Sequence, residues 1–117
     1  MTELPVIKDY LLDMLEAMDT AVQFVGDFVL SEFERVEQCS YAVIRCLEIV
    51  GEAAKKIPAA VRRKHDAIPW KNLAGMRDKL IHDYAGVDLE VVFKTVKEDI
   101  PMVRQLLIGL IHEFYEK

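Results

Sequence analysis

Residues 4–28 read LPVIKDYLLDMLEAMDTAVQFVGDF, with apolar side chains at Leu4, Ile7, Leu11, Met14, Met18, Ala21, Val25 and Phe28. Spacings that alternate between three and four place these eight on one narrow stripe of a long helix. A seam of that width is suited to packing against a partner helix. No stretch of the chain shows the period-two alternation of a half-buried strand, and there is no internal repeat or low-complexity tract. The fold is therefore to be sought among all-α architectures.

Further helices follow from the same signals. Ser31 with Glu34 has the spacing of a capping box and predicts a second helix that runs through Glu52 to about Ile57, where Pro58 stops it. Its apolar face carries Val36, Ser40, Val43, Leu47, Val50 and Ala54. A short third helix opens at Pro58 and ends near His65, and a fourth runs from about Pro69 to Tyr84 with Trp70 as a core anchor. The stretch from Asp83 to Asp88, containing Gly86, is a break. Asp88 then caps a last helix through Leu89, Val92, Phe93, Val96, Ile100, Val103, Leu107, Leu110 and Phe114, which Pro101 kinks or divides. These elements predict an all-α up-and-down bundle of four to five helices forming a single domain over residues 1–117. The first and last helices each have more apolar surface than one neighbour covers, which points to a symmetric homodimer.

Composition limits what such a bundle can be. Hydrophobic residues make up 52% of the 117, with few glycines and prolines, which fits a globular helical protein rather than a disordered one. No apolar run approaches the roughly 20 residues of a membrane span. The N-terminal residues lack a basic region followed by an apolar core. A cytoplasmic protein without membrane contact is expected. Cys39 and Cys46 lie about 10.5 Å apart along one helix, too far for a disulfide, and read as buried thiols. No Cys/His grouping has zinc-ligand spacing, so neither a metal nor a cofactor is expected.

The net charge of −5 argues against a polyanionic partner, but its distribution is uneven. Lys55 to Lys79 holds eight basic and two acidic residues, a balance of +6, against −11 for the remainder. Such a strip either steers a polyanion locally or is a solvated connection between helices. A polar line on the second helix, Tyr41, Arg45, Glu48, Glu52 and Lys55, is open to a similar pair of readings. It is a surface stripe of ion pairs, or one wall of a cleft if it faces residues 77–84.

Those residues, RDKLIHDY, are the one place equipped for chemistry. Arg77 is a fixed cation, His82 an imidazole able to move protons near neutral pH, and Tyr84 a phenol. Arg77 and Tyr84 lie within about 20° around an ideal helix axis. Asp78 and His82 are four apart, so that the Asp78 carboxylate can orient the imidazole and favour its protonated form. Arg77 and His82 diverge by about 140°. Their convergence needs a frayed last turn, a facing helix or a second copy across a dimer axis. RNA cleavage asks for a base at the 2′-hydroxyl, an acid at the leaving oxygen and a cation at the phosphorane. His82 suits the proton transfers, Arg77 suits the phosphate, and two symmetry-related His82 residues supply acid and base together. Taken as residue types alone, a histidine at a helix end is more often a cap, and an arginine more often an ion-pair partner.

The segment Gly75–Tyr84, an arginine, four residues, a histidine, one residue and a tyrosine, resembles the signature of the HepT-like branch of the HEPN superfamily. Arg45–Ala54, Ile68-Pro69-Trp70 and Gly86–Val92 are similar to other parts of the family pattern, so the resemblance spans about residues 4–110. It implies a homodimeric, metal-independent endoribonuclease that serves as the toxin of a type VII toxin–antitoxin pair. The implied partners are an RNA substrate and a small MntA-like nucleotidyltransferase antitoxin. Under that resemblance Arg77 and His82 are catalytic, and Tyr84 is the hydroxyl to which the antitoxin adds AMP. Asp78, Asp83, Arg45 and Glu52 are supporting residues. A bulky anion on Tyr84 would occupy the arginine face and repel an RNA phosphate. Two positions depart from the pattern: Ala85 where an aromatic is usual, and Phe93 where tryptophan is common. The competing reading is a non-catalytic module that presents nucleotide or substrate to a nucleotidyltransferase.

Overall fold

The computed structural model describes residues 4–83 and 86–115, and the secondary structure in them is entirely helical. Helix α1 spans Leu4–Val25, α2 Leu30–Arg35, α3 Glu37–Lys55, α4 Ala59–Lys64, α5 Trp70–His82, α6 Leu89–Lys94 and α7 Ile100–Tyr115. Tyr84 and Ala85 lie outside the described residues.

The N-terminal seam is buried as its spacing predicts. Ile7, Leu11, Met14, Met18, Ala21 and Val25 are all inside, and α1 ends at Gly26, whose positive φ of 49° turns the chain out of the helix. Phe28 falls beyond that turn and is half-buried. The seam meets α3 on one side and α7 on the other. At the start of α3 the Cys39 thiol donates to the Phe24 carbonyl at the end of α1 (3.0 Å), while at its end Lys56 sits over the Tyr10 ring. Arg104 pairs with Asp19, and Lys8 lies over Tyr115. Thus α1 runs antiparallel to both neighbours. One hydrophobic core joins side chains of all three helices with Phe33, Ile57, Ile68, Trp70, Leu80 and Val92.

The second predicted helix is broken. At Val36 the backbone leaves the helical region (φ −95°, ψ 88°) and divides it into α2 and α3. Burial explains the break, because the turned α2 drives Phe33 fully into the core against Phe93, with ring centroids 5.5 Å apart. The cap also moves. Helix α2 opens at Leu30, and the Glu32 carboxylate accepts from the Val29 N–H (3.0 Å), so that Ser31 and Glu34 do not form the box. Pro58 precedes α4, which spans only Ala59–Lys64. Trp70 is the expected anchor: it is buried, and its indole N–H donates to the His65 carbonyl (3.0 Å). Asp88 caps α6 through bonds from Glu90 N–H (3.0 Å) and Val91 N–H (3.3 Å). The division expected from Pro101 takes the form of a π-helical turn, Thr95–Asp99, between α6 and α7. A proline ring clashes with the carbonyl four residues back in a regular helix, and a widened turn just before it relieves that clash. Cys39 and Cys46 are free and buried, and burial pushes both thiols up from their ordinary range.

Helices α3 and α5 approach each other closely at Gly51. A Cβ added at Gly51 would stand 2.6 Å from the Leu73 carbonyl oxygen and closer still to the Arg77 Cβ. Only a hydrogen fits there. Replacing Gly51 with alanine is therefore expected to force α5 outward and to cost about 1–3 kcal/mol, the usual range for overpacking. Urea denaturation checks this: an unchanged or raised midpoint would show that α5 does not rest on this glycine.

Candidate active site

Gly51 determines which side chains of α3 face α5. One residue on, Glu52 Oε2 lies 3.0 Å from Arg77 Nε, and one turn on, Lys55 Nζ lies 3.1 Å from Asp78 Oδ1. Arg77 Nη1 donates to the same Asp78 oxygen (3.0 Å). Glu52, Arg77, Asp78 and Lys55 thus form a row of alternating charge. The C-terminal part of the polar line, Glu52 and Lys55, faces the motif as a cleft wall would, while Arg45 and Glu48 form a surface ion pair. Arg45 stands apart from the row. It pairs with Glu48 (3.4 Å) and shares with Glu52 the rim of a cavity of about 140 Å³ that also touches Tyr10 and Lys56.

The row fixes the Arg77 side chain, which is a quarter exposed. Glu52 engages Nε and Asp78 engages Nη1, leaving Nη2 uncommitted among the described residues. A guanidinium fixed by two carboxylates at separate nitrogens, with donors still uncommitted, is preorganised for a phosphate.

His82 ends α5 and is exposed. Its Nδ1 lies 3.0 Å from the Asp78 backbone carbonyl. The expectation that the Asp78 carboxylate orients the imidazole is corrected here, since that carboxylate is engaged by Arg77 and Lys55 and the main chain takes its place. A carbonyl can only accept, so this bond requires the proton on Nδ1 and leaves the Nε2 lone pair facing outward in the neutral ring. The last turn does not fray. Asp83 N–H still donates to the Lys79 carbonyl (2.9 Å), so α5 is regular through His82. The helical divergence of Arg77 and His82 therefore persists within one chain. Asp83 makes no ion pair with either residue. It lines a mainly apolar cavity of about 120 Å³ with Met76, Lys79, Leu80 and Val91. Tyr84, the third member of the motif, lies outside the described residues.

Two residues that position the site were not among the candidate site residues read from the sequence. Gly51 had a signal, being an isolated glycine inside a predicted helix, which is unfavourable there unless packing requires it. Lys55 had only its place at the end of the polar line. Among the described residues no three His, Cys, Asp or Glu side chains gather as metal ligands, and no helix is long and apolar enough to cross a membrane.

A helical bundle presenting an arginine and a histidine on one regular helix, against a polar wall, has the form of a small helical nuclease. Comparison with known proteins agrees: residues 14–109 match the family described as Ribonuclease HepT-like. Two candidate RNases of Methanocaldococcus jannaschii are similar throughout. One is 48% identical over 111 residues, covering 95% of this chain and 96% of that one. The other is 50% identical over 99 residues, covering 85% and 82%. A probable ribonuclease HepT of Thermococcus cleftensis is 50% identical over 97 residues, covering 83% and 88%. No solved structure matches the chain. The chain belongs to the HepT-like ribonuclease family of the HEPN superfamily.

Hydrogen bonds from Arg77 and then Lys55 hold the Asp78 carboxyl below the usual carboxylate range. A folded-state value below the unfolded one means that its contribution to stability is present above the ordinary aspartate range. That contribution is lost as pH falls through the lowered value. Carboxyl-carbon NMR should find the Asp78 midpoint below that of an ordinary aspartate and should see it rise in Lys55→Ala. A midpoint that Lys55→Ala leaves in place would remove Lys55 from the row.

Proposed function

We propose that this chain is an endoribonuclease toxin that works without a metal ion as a homodimer. An MntA-like nucleotidyltransferase neutralises it by adding AMP to Tyr84. The observation that carries the reading is the His82 ring, with Nδ1 on the Asp78 carbonyl and Nε2 open, on the same helix as the braced Arg77.

In the reaction, Nε2 of one His82 takes the proton of the ribose 2′-hydroxyl. The 2′-oxygen attacks the adjacent phosphorus, and the P–O5′ bond breaks. The 5′-oxygen leaves with a proton from a second, protonated imidazole, and Arg77 balances the charge of the phosphorane. The products are a 2′,3′-cyclic phosphate and a 5′-hydroxyl. Within one chain the regular α5 keeps Arg77 and His82 on different faces, so a two-fold partner is needed to bring an arginine and both imidazoles to one phosphate. Glu52 and Asp78 hold the guanidinium, and Lys55 holds Asp78.

Control by AMP fits the same surface. The Tyr84 hydroxyl attacks the α-phosphorus of a nucleoside triphosphate, pyrophosphate leaves and the phenolic proton passes to solvent or an antitoxin base. Tyr84 follows His82 by two residues in the sequence, directly after α5. The attached phosphate would engage the donors that an RNA phosphate needs.

His82→Ala is expected to slow RNA cleavage in EDTA by about 10²–10⁴-fold, and Arg77→Ala by about 10²–10³-fold. Cleavage untouched by both substitutions, or none by the wild type, removes the nuclease and favours the non-catalytic module. Co-expression with the nucleotidyltransferase should add the mass of one or more AMP groups to the peptide holding Tyr84. A Tyr84→Phe protein that still gains this mass assigns the modification elsewhere.

A further inference from the structure

The connection from α4 to α5 carries a feature that the catalytic reading leaves unused. A groove of about 420 Å³ lies between Ala59, Arg62 and Arg63 of α4 and Pro69, Lys71 and Asn72 at the start of α5, with Asp66 as its one carboxylate. Several cations elsewhere on this acidic chain are neutralised: Arg45, Lys55, Arg77, Lys94 and Arg104 each have a carboxylate within 4 Å. Arg62, Arg63, Lys64 and Lys71 have none among the described residues. Arg62 goes further, for its Nε is buried with no hydrogen-bond partner there. A buried donor without an acceptor is costly and rare in folded proteins, and this one belongs to a guanidinium that lines the groove.

The groove is also aligned with the catalytic helix. Lys71, Gly75, Asp78 and His82 follow spacings of four, three and four, so they lie on one face of α5 within about 60°, Lys71 and His82 being about 20° apart. Lys71 stands about 16 Å along the axis from His82. Between them the face is open, since nothing lies within 4 Å of a Cβ built on Gly75. The negative charge of Asp78 on this track is already balanced by Arg77 and Lys55.

We infer that the α4–α5 groove is a phosphate-binding subsite for single-stranded RNA, holding the backbone a few nucleotides from the bond presented to His82. The inference rests on the nuclease reading of His82 and names where the rest of the substrate lies. Trp70 is buried and tied to the His65 carbonyl, so the groove grips the strand by its phosphates and not by base stacking. RNA is favoured over an acidic protein because Lys71 of the groove lies on the same α5 face as His82, the residue presented to the scissile phosphate. Binding without sequence preference at this end is the consequence.

The test uses full-length protein carrying His82→Ala, titrated with a labelled single-stranded RNA of about twelve nucleotides. Binding is followed by fluorescence anisotropy across a range of salt. Because the protein is silenced, binding is read whether or not the wild type cleaves. A chain that binds here but never cuts RNA fails the nuclease reading and keeps the subsite. Adding Arg63→Gln and Lys71→Gln, both exposed positions, should weaken binding by about tenfold and lower the salt slope by about 1.4, or about 0.7 for each phosphate that is no longer neutralised. Removing the same charge elsewhere, with Arg35→Gln and Lys94→Gln, should change affinity by less than about twofold. Equal losses in the two double variants would overturn the subsite, as would no loss in the groove variant or no RNA binding at all. Polyglutamate that competes as well as RNA at equal charge would also overturn it and would mark a protein-docking surface.

Discussion

The contact between Gly51 and α5 is the constraint from which the site follows. With no side chain at that position, the backbone of α3 can lie directly against Leu73 and Arg77. Everything polar about the site then falls within reach. Glu52 meets Arg77, Lys55 meets Asp78, and a row of charges that would be scattered on two separate surfaces becomes continuous. A larger residue there would push these groups apart by more than a hydrogen bond tolerates. One glycine thus connects core packing to chemistry.

The row contributes little to stability, because its members are substantially exposed and surface ion pairs are screened. What it provides is geometry. Arg77 is held at Nε and Nη1, and Nη2 is left uncommitted among the described residues. His82 is oriented by a different device, the carbonyl of Asp78 one turn earlier, which selects the tautomer without adding charge. The same residue therefore serves both halves of the site, through its carboxylate to Arg77 and its main chain to His82. The excess of basic residues is confined to the stretch from Lys55 to Lys79 on an otherwise acidic chain.

Much of this was legible in the sequence, for physical reasons that differ by element. The α1 seam was readable because burial on one face of a long helix enforces the spacing from Ile7 to Val25. The cap at Asp88 was readable because it is a local bond between neighbours. The disruption near Pro101 followed from its missing N–H, although that it would be a π turn did not. The break at Val36 was not readable. It is set by the fit of Phe33 against Phe93, residues sixty apart in the chain, and local propensity has no access to such long-range packing. The resemblance pointed to the Arg77, His82 pair, but the partner of His82 was misassigned. Spacing of four allows either the side chain or the carbonyl of Asp78 to be the acceptor, and only the competing demand of Arg77 and Lys55 for the carboxylate decides between them.

The central claim is that His82 and Arg77 catalyse attack by the ribose 2′-hydroxyl on the neighbouring phosphate. The chemical nature of the cut ends reports this most directly. Digestion of a defined RNA in EDTA, followed by mass analysis of the fragments, should give 2′,3′-cyclic phosphate and 5′-hydroxyl ends. Fragments bearing 5′-phosphate and 3′-hydroxyl ends would contradict it, because water and not the 2′-oxygen would then have attacked the phosphorus.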